Sequence, residues 1–437
     1  MSFALKSLIL GGALLFLKND LQAQVNFSPG TKCNVGFDPE SIAAGDLNGD
    51  GRPDFVTANY FGGSLSIYTN RGNGDFTLSG AIAVNSPSSV AIADLDGDGR
   101  MDIVCANFGS DTLTVLTNKG LGVFGLASSV SVAHRPQVVI AKDINNDGKF
   151  DLICGSANST TWDNTLSVLT NNGNGQFLLA DNPPINGVAY SLVTGDVNGD
   201  GYEDLISSGA GYINVLTNNH AGGFKIAVSP HASSPPQKVA IADVNGDGHL
   251  DLITVNLDAD TISVLTNDGK GVFSIASSPA VLGGPYSIVA GDVNGDGKID
   301  LVVGTIFGSV YTDTGVTVLT NDDAGGFTIA TKILVGGPSA EAVADLNGDG
   351  KADLLVASDA FSQGVILFQV PKLSFSSQSP NLILSWPTSW TNWTLQESFD
   401  VTMTNWHATS GVLSDGTNKS VSISSTNAAQ FFRLAPP

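Results

Sequence analysis

The chain has 437 residues, 51 of them glycine, with 41 acidic against 19 basic side chains and a net charge of −22. A chain this acidic is a poor partner for nucleic acid or an anionic membrane surface. Its length exceeds one ordinary hydrophobic core, so several domains or a repeat architecture is expected.

The first residues read as a signal peptide. Lys6 supplies a positive n-region, Ser7 to Leu17 an apolar run too short to cross a bilayer, and Leu21-Gln22-Ala23 a small-residue cleavage site. Residues 1–23 are therefore expected to be removed from a protein that is extracellular, at the cell surface or in the periplasm. No later stretch has the length of a membrane span. The three cysteines, Cys33, Cys105 and Cys154, are too few and too odd for a disulfide framework and read as free thiols. Cys105 and Cys154 lie inside apolar runs, where a thiol acts as a small core residue.

From Asp46 the chain repeats itself. The nine-residue segment Asp46-Leu-Asn48-Gly-Asp50-Gly-Arg52-Pro-Asp54 has six further copies, whose starts follow one another at intervals of 47 to 53 residues. Six units carry a proline seven residues before the first aspartate (Pro39, Pro87, Pro136, Pro236, Pro285, Pro338), and Ala189 replaces it in the fourth. Short apolar runs such as Phe55-Val-Thr and Leu113 to Leu116 follow each loop. A Thr-Asn turn then ends at Phe76, Phe124, Phe177, Phe224, Phe273 or Phe327. Four short β-branched runs per unit, divided by Gly, Asn and Asp, predict an all-β chain: a seven-bladed β-propeller over 24–372. The last unit lacks both the Thr-Asn turn and a fourth strand. Phe27 precedes Asp46 by 19 residues, the offset that also separates Phe124 from Asp143. The segment 25–35 is therefore expected to complete the last blade and hide two sheet edges.

The loops carry a metal chemistry. Position 1 is Asp46, Asp94, Asp143, Asp196, Asp243, Asp292 and Asp345. Position 3 is Asn48, Asp96, Asn145, Asn198, Asn245, Asn294 and Asn347. Position 5 is Asp50, Asp98, Asp147, Asp200, Asp247, Asp296 and Asp349, and position 9 is Asp54, Asp102, Asp151, Asp204, Asp251, Asp300 and Asp353. Position 7 (Arg52, Arg100, Lys149, Tyr202, His249, Lys298, Lys351) is expected to offer its backbone carbonyl. Alternate residues of a tight loop point inward, and glycine at position 6 permits the positive φ of the turn. An all-oxygen donor set favours Ca²⁺ over zinc or copper, and four side chains leave little room for the waters that Mg²⁺ keeps. Up to seven Ca²⁺ ions are expected. The alternative is a set of hairpins held by Asx turns with solvated carboxylates. Three like charges crowded into each turn would then lack a counter-ion. Asp96 adds a charge to the second loop, which is expected to bind most tightly. Asn146 at position 4 of the third loop is expected to matter little, because that position supplies no ligand.

These loops resemble the FG-GAP/VCBS repeats, the calcium-binding propeller repeats of integrin α-subunits and of many secreted bacterial proteins. The D-x-[ND]-x-D-G-x-x-D pattern carries the likeness over about residues 25 to 370. Phe61-Gly62, Phe108-Gly109 and Phe307-Gly308 are similar to the Phe-Gly element, while Gly-Ala-Pro is poorly kept, so integrin ligand recognition is not carried over. The resemblance implies structural metals on one face and ligands on the other.

Within each unit the calcium loop and the Thr-Asn turn fall on one face. The opposite face carries the variable connections with Tyr60, Phe61, Phe108, Trp162, Tyr190, Tyr286, Phe307, Tyr311 and Phe361 as candidate ligand-binding residues. The alternative role for any of them is covering a blade edge or plugging the channel. No nucleophile elbow, phosphate loop or His-rich motif occurs, and the five histidines are scattered.

From about Leu373 the repeat stops, and Trp386, Trp390, Trp393 and Trp406 mark a small β-sandwich-like module over 373–437. The leading expectation is a non-catalytic binding and adhesion module for an extracellular protein or glycan, with calcium holding the blades. A lectin and a lyase-like polysaccharide-processing enzyme are the alternatives. Repeated aromatic-polar pockets would favour the first, and acids and bases converging at the centre of the variable face the second.

Overall fold

A computed structural model describes residues 25–72, 74–157, 164–306, 314–322, 325–370, 374–378, 381–387, 394–398, 407–416, 418–424 and 431–435. Phe27–Gln369 forms one compact unit, and Val370–Pro437 belongs to another.

The larger unit is a β-propeller of seven four-stranded antiparallel sheets. The first blade shows the pattern. Pro39–Gly45, Asp54–Asn59, Ser64–Asn70 and Phe76–Ala83 pair in order from the axis outward. The second strand is buried along its whole length in all seven blades. It lies between its sheet neighbours and is covered on both faces by adjacent blades, which is why it reads as a continuous rather than alternating apolar run. The fourth strand alternates more, because it is the outer edge.

The first strands touch one another in sequence around the axis, and that of the seventh blade (Pro338–Ala344) touches that of the first. The seventh sheet has an unusual order. Asn26–Asn34 lies beside Gln363–Val370 as its fourth strand. Cys33, Ile42, Phe55, Leu346, Leu355 and Ile366 form one apolar cluster across this seam, and Ser339 Oγ donates to the Pro39 carbonyl there. Burying such side chains contributes about 25 cal/mol per Å² of apolar surface removed from water, so the seam is a core like those between other blades.

The three cysteines are free and buried. Burial pushes the thiols of Cys33 and Cys105 up to about 12 and raises that of Cys154 further. They are inert core groups at neutral pH. The second unit contains a four-stranded and a three-stranded antiparallel sheet, with Leu384, Trp386, Leu395 and Val421 buried. Trp390, Trp393 and Trp406 lie outside the described residues, as do residues 1–23. No helix among the described residues is long and apolar enough to cross a membrane.

Candidate metal loops and the opposite face

Each loop begins where the first strand ends and finishes on the first residue of the second strand. In the first loop Asp46 folds the chain around its own carboxylate. Oδ1 accepts the Gly49 and Asp50 N–H groups at 2.7 and 3.1 Å, and Oδ2 accepts that of Gly51 at 2.7 Å. Gly51 has φ +84°, and no atom lies within 4 Å of where its Cβ would stand. Conformation rather than space therefore requires glycine there. Position 4 is also left-handed, with φ between +74° and +81° at the glycines of six loops and +58° at Asn146. The expectation that Asn146 matters little overlooked this backbone demand, which asparagine meets better than most residues.

The position-9 aspartates are completely buried. In six loops Oδ2 accepts the N–H of position 2, at 2.9 to 3.4 Å. In the sixth loop Asp300 Oδ2 is buried with no hydrogen-bond partner among the described residues. Oδ1 accepts the N–H at the end of the third strand in all seven blades, at 2.7 to 3.1 Å. Burial first, and the neighbouring carboxylates second, push Asp54, Asp102, Asp151, Asp204 and Asp300 up to about 6 and Asp353 up to about 7. The N–H donors oppose that rise. Asp251 is raised for the same reasons.

In the second loop oxygens of Asp94, Asp96 and Asp102 lie within 4.8 Å of one another. Asp98 is turned toward the Arg100 guanidinium, and Asp50, Asp147 and Asp200 face Arg52, Lys149 and His220 in the same way. The structure therefore gathers positions 1, 3 and 9 of that loop more closely than position 5. An all-oxygen donor set, buried carboxylates that resist ionisation and an orphaned carboxylate oxygen together fit a hard divalent cation.

The asparagine of the Thr-Asn turn has a role that its repetition alone did not disclose. Its Nδ2 donates to the position-2 carbonyl of the preceding blade's loop. Asn70 reaches Leu346, Asn118 Leu47, Asn171 Leu95, Asn218 Ile144, Asn267 Val197 and Asn321 Val244, at 2.7 to 2.9 Å. In the last blade, where the turn motif is absent, Gln369 Nε2 reaches the Val293 carbonyl. Every loop is thus tied to its neighbour.

On the opposite face the candidate aromatics separate. Tyr60 lies 5.0 Å from Phe61 and 5.5 Å from Phe108 between ring centres. Phe61 stacks on Phe37, which the sequence reading missed, and Arg135 lies 5.4 Å from the Phe108 ring. Tyr190 and Tyr286 line a cavity at the axis with Glu40, Gln137, Gln237 and Lys238. Phe361 is exposed and lies against Gly336. Trp162, Phe307 and Tyr311 fall outside the described residues. The acids and bases at the axis were also missed. Lys238 Nζ lies 5.0 Å from the Tyr286 ring centre, and Ser287 Oγ donates to Glu341 Oε1 at 2.8 Å. A Cβ on Gly304 would collide with that carboxylate. Burial pushes Glu341 up to about 7, opposed by Ser287 and Lys238. A signal was available: Glu40, Gln137, Tyr190, Gln237 and Tyr286 all stand six residues before a loop's first aspartate.

The FG-GAP-like repeat profile matches residues 46–105, 94–154, 143–207, 196–254 and 243–303, and the FG-GAP repeat profile matches 337–368. No curated protein matches the chain. Among solved structures it is similar to the chain described as BBS1N in complex with ARL6DN, soaked with lead. That likeness has TM-score 0.55 and 12% identity over 79% of this chain and 97% of the other. A functionally unknown protein from Desulfotomaculum acetoxidans DSM 771 matches with TM-score 0.53 and 12% identity over 72% and 92%. At such identity both likenesses concern the fold alone.

Proposed function

The chain belongs to the FG-GAP-like repeat family, and from that premise we propose that it is a secreted, non-catalytic binding and adhesion module whose loops hold up to seven Ca²⁺ ions. The observation that carries this reading is the buried position-9 carboxylate, present seven times, each time bonded to a third-strand residue of its own blade whose side-chain amide reaches the neighbouring blade. Bound calcium supplies the positive charge that these carboxylates lack. The side chains at positions 1, 3, 5 and 9 hold it, and the asparagine clamps pass the resulting order from blade to blade. The second loop, with its additional carboxylate Asp96, is the tightest site.

The ligand, an extracellular protein or glycan, binds on the face away from the loops, where Phe37 and Phe61 stand 63% and 70% exposed. Exposed aromatics beside an arginine are the usual anchors of an interface. Acids and bases do meet at the axis (Glu40, Lys238, Glu341), the arrangement expected of the polysaccharide-processing alternative, which is therefore the second reading. The state of these groups weighs for the non-catalytic one. Ser88 Oγ is committed to the Pro136 carbonyl at 2.7 Å, Glu341 is held by Ser287, and no histidine lines the cavity among the described residues.

The test is attachment of the protein to cell-surface preparations in millimolar calcium, with Phe37→Ala/Phe61→Ala as the variant. Attachment that this variant weakens at least tenfold, at an unchanged melting temperature, supports the reading. Attachment indifferent to the variant, or turnover of a polysaccharide, contradicts it.

A further inference from the structure

The repeated prolines direct a set of side chains that the loops do not use. Proline cannot donate to a ladder, and in the first blade pairing passes from Pro39–Asn59 to Ser41–Ala58, leaving Glu40 unpaired in a β-bulge. The same skip leaves Ser88, Gln137, Tyr286 and Ser339 unpaired in the second, third, sixth and seventh blades. A bulge re-aims the residue it frees. Four of these five residues line a single axial cavity of about 320 Å³, joined by Tyr190, Gln237 and Lys238 from the two blades without that bulge. Its walls thus come from six of the seven blades.

The wall chemistry is selective. Among the described residues, the Glu40 carboxylate, the Gln137 and Gln237 amides and the Tyr190 and Tyr286 phenols make no hydrogen bond with the rest of the chain. The Lys238 ammonium lies within electrostatic reach of both Glu40 and Glu341, so the wall already balances much of its own charge. Asp38 and Asp359 add negative potential at Glu40, which disfavours phosphate, sulfate or carboxylate ligands. What remains is a set of amides and phenols that donate and accept as hydroxyl groups do. Beside them the Tyr190 ring, 38% exposed, offers an apolar face of the kind that packs on C–H groups. The volume lies at the small end of ligand pockets.

We propose that this axial cavity, ringed by the bulge residues, binds one neutral sugar ring, either as a free monosaccharide or as the terminal residue of a glycan. The proposal rests on the binding-module reading and adds to the Phe37 and Phe61 surface a separate subsite at the axis, with a ligand class of its own. Glu40 and the two glutamines hydrogen-bond the ring hydroxyls, and Tyr190 stacks on one face.

The experiment is calorimetric titration of the protein, in calcium, with a panel of neutral methyl hexosides and N-acetylhexosaminides. Glycans ending in the same sugars are presented in parallel on an array. One sugar class should bind, Tyr190→Ala and Gln237→Ala should each weaken it at least tenfold, and Tyr190→Phe should retain most of the affinity. Both alanine variants alter partly exposed side chains, and an unchanged calcium-dependent melt verifies their fold. Response of the methyl glycosides identifies a free-monosaccharide site, and response of the array alone a terminal-residue site. The proposal is overturned by a folded, calcium-responsive protein that binds no neutral sugar, which leaves the binding-module reading standing. Binding restricted to anionic or amine ligands overturns it equally, as does sugar binding indifferent to Tyr190→Ala and Gln237→Ala.

Discussion

Asp102 accepts two N–H groups from its own loop, those of Leu95 and Asp96, and one from Asn118 at the end of the third strand, while Asn118 reaches across to the Leu47 carbonyl of the first blade. A second bond from the same amide satisfies the Met101 carbonyl. Asn118→Ala leaves both carbonyls without their donor, and buried unsatisfied groups cost about 1–3 kcal/mol each. Urea unfolding in calcium should therefore register a loss of about 2–4 kcal/mol; a loss under about 0.5 kcal/mol, the level of an ordinary surface substitution, would remove the clamp from the account. Glu341 supplies a pH dependence that one substitution separates from that of the loop aspartates, which are raised as well. Its carboxyl is raised from 4.5 to about 7 by burial, so its contribution to stability is fully present below pH 4.5 and lost as pH rises through about 7. Unfolding free energies of the native protein should fall over that window relative to Glu341→Gln, and parallel curves would contradict the assignment. At this scale the loop aspartates were legible, because nine consecutive positions repeat. The clamp was not, because its two ends lie in different units and a repeat pattern does not say what touches what.

The strand Asn26–Asn34 is the outer edge of the seventh blade although it comes first in the chain. Its place was readable from one offset, that of Phe27 from Asp46. Deleting residues 25–35 leaves Gln363–Val370 as an unpaired apolar edge, with Ile366 and Leu367 losing cover. A melt of that deletion should lose its single cooperative transition or fall by about 10 °C or more, with soluble aggregates on size exclusion; an unchanged, monodisperse melt would show that the strand does not hold the ring. The bulges illustrate the opposite case. The prolines marked where they occur, but a bulge is a statement about register between two strands, and a single strand's sequence does not contain it. Glu40 was overlooked for that reason, and Lys238 and Glu341, which are not bulge residues, because no single unit shows what its neighbours bring to the axis. Each is an isolated polar residue in its own unit and joins the others only when the blades close.

Across the whole molecule, blade number follows from counting loops, and ring closure from the missing fourth strand of the last unit. The ligand face is the less legible half. Its connections differ in length and sequence. Tyr190 and Tyr286 stand six residues before a loop and Tyr60 and Phe108 six residues after one, but that shared register does not say which rings meet. The loops make the stronger claim: seven buried carboxylates, each raised by desolvation, joined around a closed ring by seven amide clamps. Metal bound to one loop would steady the next, and ions binding the native state alone raise its stability with concentration. The direct measurement is the number of calcium ions retained per chain after equilibrium dialysis at millimolar calcium. Close to seven is the predicted result, falling by about one in Asp102→Asn and to none with EDTA. A folded protein that retains none, or one that Asp102→Asn leaves unchanged, would contradict the assignment of these loops.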